Sequence, residues 1–191
     1  MYKLAQILLW PFFHLFFLLR QTGKEHLPKK GKVIVICNHI SVLDPITLGV
    51  TLPRPIHFMA KIELFKNPLI AKLLRSLNAF PVDRSRGDVA SIKKAISILS
   101  EEKVFGIFPE GTRGAGAMKE GAAMIALKSE APVVPVYIEG RYKLFRPMKV
   151  WVGEAIQPPP LEGRLKEQVD AFAPVIAHAV EKLEKNSGKI L

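Results

Sequence analysis

The chain contains a single cysteine, Cys37, so no internal disulfide forms and a reducing compartment is compatible with it. No group of Cys and His residues has metal-ligand spacing, and no metal or redox cofactor is expected. Only 3 Tyr and 2 Trp are present, without a zinc-finger or RNA-binding aromatic signature, which ranks nucleic acid below a lipid surface as partner. Acidic residues are few: 17 Asp+Glu stand against 28 Lys+Arg, a formal charge of +11. Such a surplus points to a polyanion, whether nucleic acid, anionic membrane or a phosphorylated substrate. Internal repeats are missing, as is low-complexity sequence beyond Pro158–Pro160.

At 191 residues the chain is long enough for one domain with a real core and short for two. It is 49% hydrophobic with a mean hydropathy of +0.18, apolar for a freely soluble protein. Much of that sits in Leu4–Leu19 (LAQILLWPFFHLFFLL), bounded by Lys3 and Arg20. A straight helix of this length reaches about 24 Å, short of a hydrocarbon core of about 30 Å. Pro11 near its middle favours a kink, and Gln6 and His14 weaken a spanning reading further. Arg20, Lys24, Lys29, Lys30 and Lys32 follow, with Glu25 the one acid among them. A signal peptide needs a small-residue cleavage site, and none follows Leu19. A buried core helix is the other alternative. The preferred expectation is a kinked helix or helix pair dipping into one leaflet, a monotopic anchor over residues 1–22, with the basic cluster on anionic headgroups.

Past Gly31, short apolar runs alternate with longer helical patterns. Strands are expected at Val33–Cys37, Ile56–Met59, Val104–Phe108, Val133–Tyr137 and Val150–Val152, and helices at Pro45–Leu52, Pro68–Leu77, Asp88–Leu99, Gly121–Lys128 and Lys166–Lys185. Continuous apolar strands suit a sheet covered on both faces. The expected fold is therefore α/β: residues 23–191 as a single domain with a mixed, largely parallel sheet covered by helices, behind the N-terminal membrane-associated helical segment. In such sheets ligands sit beyond the carboxyl ends of the strands.

Two segments carry chemistry. The first is Asn38-His39-Ile40-Ser41-Val42-Leu43-Asp44, directly after a strand. On a helix, positions five apart point about 140° away from one another, so His39 and Asp44 meet only if the chain turns between them. Asp44 as N-cap with Pro45 at the first helical position is one route; Ser41 as cap with Asp44 in the first turn is another. Either way the carboxylate can fold back onto one ring nitrogen, fixing the tautomer and favouring the imidazolium that forms when the other nitrogen takes a proton. As isolated features, Asp44 is equally a helix cap and His39 a structural residue. Cys37 is a rival nucleophile on the same strand, although cysteines near strand ends are usually small core residues. Ser41 and Thr112 lack the glycine-flanked elbow of a hydrolase serine. The second segment, Phe108-Pro109-Glu110-Gly111-Thr112-Arg113, also follows an apolar run. Gly111 permits a tight turn, Glu110 suits a polyol hydroxyl and Arg113 a phosphate. Lys119 and Gly121 then open a helix whose N–H groups favour an anion; alone, this segment reads equally as a surface turn.

Together, Asn38-His39-x4-Asp44 and Phe108-Pro109-Glu110-Gly111-Thr112-Arg113 resemble the first and third motifs of the glycerolipid acyltransferase family, which includes the 1-acylglycerol-3-phosphate (lysophosphatidic acid) acyltransferases. The likeness covers roughly residues 23–156. Lys61-x-Glu63-Leu64 and Phe80-Pro81-Val82-Asp83-Arg84 are similar to the family's second motif region, and Val133-Val134-Pro135-Val136 to its fourth. Gly114 stands where a serine is frequent and Met118 where an aromatic is frequent.

The resemblance implies transfer of a fatty acyl group from coenzyme A or acyl carrier protein to the sn-2 hydroxyl of 1-acylglycerol-3-phosphate, giving phosphatidic acid at the cytoplasmic face of the cell membrane. It implies His39 as general base held by Asp44. Glu110, Gly111 and Thr112 would hold the acceptor, and Arg113, Arg84, Lys61 and Lys119 would form the phosphate site. Glycerol-3-phosphate or another lysolipid as acceptor is the sister reading, and a non-catalytic anionic-lipid-binding protein the alternative of another class. Oxyanion donors are expected among backbone N–H groups near Gly111 or at the helix after His39.

Overall fold

Val33-Ile34-Val35-Ile36-Cys37 is buried at every position, as a β-branched run is when helices cover both faces of its sheet. The computed structural model describes residues 2–82, 89–108 and 115–187, the side chains of 115–119 excepted. This run is β2, the middle strand of a seven-stranded sheet. The others are β1 (Arg20–Thr22), β3 (Ile56–Lys61), β4 (Ala79–Val82), β5 (Val104–Ile107), β6 (Val133–Glu139) and β7 (Lys149–Val152). Their order is β1-β7-β6-β2-β5-β3-β4, with every pair parallel except β6 with β7.

Among the described residues six α-helices accompany the sheet: α1 (Tyr2–Phe16), α2 (Asp44–Thr51), α3 (Pro68–Ser76), α4 (Val89–Ser100), α5 (Ala115–Ser129) and α6 (Leu165–Ser187). The period of two along β2 divides the core. Val33, Val35 and Cys37 pack with Phe13 and Phe17 from the N-terminal segment and with Leu48 and Val50 of α2. Ile34 and Ile36 point the other way, onto Ile98 and Leu99 of α4, Ile125 of α5 and Phe172 of α6. The chain is thus the single α/β domain with a mostly parallel mixed sheet that the apolar pattern leads one to expect.

All five expected strands are present, and two more appear at the sheet edges. β1 reads Arg-Gln-Thr and has no apolar signal, while the short apolar β4, Ala-Phe-Pro-Val, is interrupted by Pro81. Short, charged or proline-bearing strands are what edges tolerate, since an edge leaves backbone groups free of ladder partners. β1 pairs Arg20–Thr22 with Lys149–Trp151, which ties the end of the N-terminal segment into the sheet.

Two helix expectations change. α5 begins at Ala115, so Gly121 lies inside the helix instead of opening it; the preceding Ala-Gly-Ala-Met-Lys-Glu is mostly strong helix formers. α1 is one helix running through Pro11, not a pair. Phe13 and, just past its end, Phe17 are buried in the core, while Leu4, Ile7, Leu8 and Leu15 are each more than 60% exposed. No helix among the described residues is long and apolar enough to cross a membrane.

Candidate active site

β2 ends at Cys37, and Asn38 continues its pairing by side chain. The Asn38 amide donates to the Ile138 carbonyl (2.9 Å) and its oxygen accepts from the Ile138 N–H (2.7 Å). This pair fixes the point at which the chain leaves the sheet, so His39 emerges at the carboxyl end of the central strand, where parallel sheets place their ligands.

The chain then turns, and His39 meets Asp44. Nδ1 of His39 lies 2.7 Å from Oδ2 of Asp44, a carboxylate that is fully buried. The same oxygen accepts the N–H groups of Ile40 and Ser41, each at 2.7 Å. Of the two routes, the second is the nearer: Asp44 is the first residue of α2, and its carboxylate reaches back over the turn. Asp44 does not act as N-cap; Leu43 occupies that place without a side-chain bond, and Ser41 Oγ accepts the Leu43 N–H at 3.2 Å. Because a carboxylate only accepts, Nδ1 carries the proton, which in the neutral ring leaves the lone pair on Nε2. The His39 side chain is 36% exposed, whereas the Asp44 side chain is fully buried.

Backbone N–H groups of the turn between His39 and α2 are engaged within that turn, and the oxyanion donors expected near Gly111 lie outside the described residues. Ile40 and Ser41 donate to Asp44, Leu43 to Ser41 Oγ, and Asp44 to the Ser41 carbonyl at 3.1 Å. The turn after His39 therefore serves the carboxylate and leaves little for a substrate.

Tyr142, which nothing in the motifs marks, completes the group. Its hydroxyl donates to Oδ1 of Asp44 at 2.8 Å, and the Thr47 hydroxyl lies 2.7 Å from the phenol oxygen. Burial pushes the Tyr142 phenol well above its ordinary range; Thr47 pulls it down, and the Asp44 charge pushes it further up. The phenol accordingly stays a donor to Asp44. Every face of the carboxylate is satisfied, which is the condition for keeping a buried charge. Phe108 stacks on the imidazole at 4.6 Å between ring centres, and Phe58 stacks behind it at 5.5 Å.

Beside the imidazole opens a cavity of about 560 Å³, walled by α1, α2, β3, β5 and α3. Its lining is apolar apart from a few groups such as His39, Gln6 and Lys61. Gly106 of β5 forms part of the floor, and glycine is required there: a Cβ would stand 2.2 Å from the Phe58 ring. Lys61 thus shares the cavity with His39, at the end of β3. It pairs in register with Val82, which brings the two halves of the second motif region to one sheet edge. Arg84, Glu110, Gly111, Thr112 and Arg113 lie outside the described residues, as does the side chain of Lys119, which belongs to α5. Cys37 is wholly buried, its Sγ 3.4 Å from Asn38 Oδ1 and its side chain in the core shared with α1 and α2.

Fold and site define a class: an α/β protein that joins a histidine–aspartate pair at the carboxyl end of a parallel sheet to an apolar cavity. Residues 19–139 match the acyltransferase family, and the chain belongs to it. The 1-acyl-sn-glycerol-3-phosphate acyltransferase of Bacillus subtilis is 38% identical over 176 residues, 85% of this chain and 88% of that protein. The Borreliella burgdorferi protein of the same name is 35% identical over 130 residues, 65% of this chain, which spans only 52% of that relative. Among solved structures, that of the 1-acyl-sn-glycerophosphate acyltransferase PlsC from Thermotoga maritima superposes with a TM-score of 0.69 at 26% identity, over 96% of this chain and 79% of the other.

Proposed function

We propose that this chain is a 1-acyl-sn-glycerol-3-phosphate acyltransferase that uses His39 as general base. The observation that carries the reading is the imidazole itself: Asp44 holds Nδ1 at 2.7 Å, and the ring lines an apolar cavity with no partner for Nε2 among the described residues. Family membership and the names of the relatives supply the reaction, and the cavity suits a fatty acyl chain.

Nε2 takes the proton of the acceptor's sn-2 hydroxyl as that oxygen attacks the thioester carbonyl. The tetrahedral intermediate collapses with cleavage of the C–S bond, and the imidazolium returns its proton to the thiolate. Phosphatidic acid and a free thiol result, with no acyl-enzyme and no cofactor in the balance. Asp44 stabilises the imidazolium and holds the ring; general base catalysis of this kind contributes about 10²–10⁴-fold. Glu110, Gly111 and Thr112 would orient the acceptor, and Arg113, Arg84, Lys61 and Lys119 would neutralise its phosphate. Coenzyme A and acyl carrier protein are both fitting donors for a chain of charge +11.

A lysophospholipid resides in a bilayer, so the enzyme would work there: residues 1–22 would anchor the 23–191 domain to the cytoplasmic face of the cell membrane through the exposed leucines of α1. Thiol release from acyl-coenzyme A and from acyl carrier protein, with and without lysophosphatidic acid, tests the reading in wild type and His39→Ala. Acceptor-dependent release that vanishes in the variant supports it. Release without acceptor makes the protein a hydrolase, and undiminished activity in the variant removes His39 from the mechanism. No release with either donor returns the chain to a lipid-binding role.

A further inference from the structure

α3 is held by its first turn more than by burial. Asn67 Oδ1 accepts the N–H groups of Leu69 (2.9 Å) and Ile70 (3.3 Å), and Pro68 presets the helix start. Only Ala71 of the helix is buried, while Leu69, Ile70 and Leu73 are 79%, 44% and 58% exposed. A capped amphipathic helix that turns its apolar side outward has a face without a partner among the described residues.

α1 and α3 both wall the cavity, so they lie on one side of the sheet. Each leaves apolar residues open to solvent there. On the opposite side, among the described residues, α4, α5 and α6 leave only Val89 and Val175 comparably exposed. Leu64, in the turn before α3, and Leu73 both line the cavity and stand exposed, so apolar side chains of this segment serve the cavity and the outer surface together. The charges of this stretch agree in sign: Lys61, Lys66, Lys72 and Arg75 accompany the single acid Glu63. An apolar stripe rimmed by cations fits the boundary between acyl chains and anionic headgroups.

We infer that α3 is a second membrane-contacting helix, which seats Leu69 and Ile70 in one leaflet of an anionic phospholipid bilayer beside α1, with the cavity mouth between the two helices opening into that leaflet. An acyl chain then enters sideways from the lipid and never crosses water. The inference rests on the lipid-facing reading of α1, yet its test reads binding alone and leaves acyl transfer aside.

Cys37 is wholly buried, so Leu69→Cys in the full chain offers one reachable thiol for an environment-sensitive nitrobenzoxadiazole label. Leu8→Cys reports on α1, and Lys182→Cys on exposed α6 across the sheet. Phosphatidylglycerol vesicles should shift the emission of the label at 69 to the blue, and spin-labelled acyl chains in those vesicles should quench it. The label at 182 should not respond, and the effect at 69 should weaken on phosphatidylcholine or in high salt. A response at 8 with none at 69 overturns the inference and leaves the α1 anchor standing; silence at both overturns both. A blue shift at 69 that needs no vesicles and grows with protein concentration means that a second copy covers α3, which also refutes it.

Discussion

Replacing Asp44 by Asn separates the charge of the buried carboxylate from its architecture. The amide is isosteric, and its oxygen can accept the same three N–H groups that Oδ2 accepts from His39, Ile40 and Ser41. Its NH₂ would face the Tyr142 hydroxyl, which can accept from it and donate to Thr47. The turn should therefore survive with a small stability loss, about 1 kcal/mol for a neutral hydrogen bond replacing a charged one. The electrostatic loss is larger. A carboxylate and an imidazolium with charge centres about 4 Å apart attract by about 4 kcal/mol at an effective dielectric constant of about 20. Partial exposure of the imidazole screens part of this. At about 1.36 kcal/mol per decade, kcat should fall by roughly two to three decades. Acceptor-dependent thiol release at saturating substrate measures this, with thermal unfolding as the control. A folded Asp44→Asn protein within tenfold of wild-type kcat would refute the argument, because the imidazole would then not gain charge on the reaction path.

Tyr142→Phe leaves Asp44 Oδ1 without its donor and should cost about 1.5–3 kcal/mol of stability, read from denaturant midpoints, with kcat falling more than KM rises. The same phenol, raised by burial, gives stability that is complete below its unfolded value of about pH 10 and is lost as pH climbs beyond it. Tyr2 is shifted in the same direction, so Tyr142→Phe should flatten the alkaline stability profile only in part; an unchanged profile would contradict the assignment. Gly106→Val drives a side chain into the Phe58 ring and should destabilise by about 1–3 kcal/mol or more, visible as a lowered melting temperature. Cys37→Ala should keep acceptor-dependent thiol release within a few fold, since the sulfur packs in the core; abolished turnover would make it the nucleophile.

The sequence shows β2, β5 and β6 plainly because strands covered on both faces are apolar throughout, and their hydrophobic runs need no partner to be recognised. β1 and β4 are hidden for the opposite reason: an edge strand is defined by what lies beside it, and Arg-Gln-Thr or a strand with Pro81 says nothing of that. The His39–Asp44 contact is legible because only five positions separate the pair. Tyr142 is not, since its bond to Asp44 spans 98 positions and depends on how β6 returns beside β2. Asn38 stands within the motif, yet its part in the β2–β6 seam lies 100 positions away along the chain. Cavity walls share this property: Gly106 and Phe58 face each other only because β3 and β5 are neighbours.

β2 is the fourth of seven strands, with three on either side. The histidine is therefore mounted at the mechanical centre of the sheet, on a seam sealed by the Asn38 side chain. Fraying begins at sheet margins, where β1 and β4 have one neighbour each, and it must travel through several ladders before it moves the imidazole. The amides slowest to exchange with solvent should be those nearest the reacting group. On heating, such an enzyme keeps its active geometry until the whole domain melts, so inactivation and unfolding should follow a single curve.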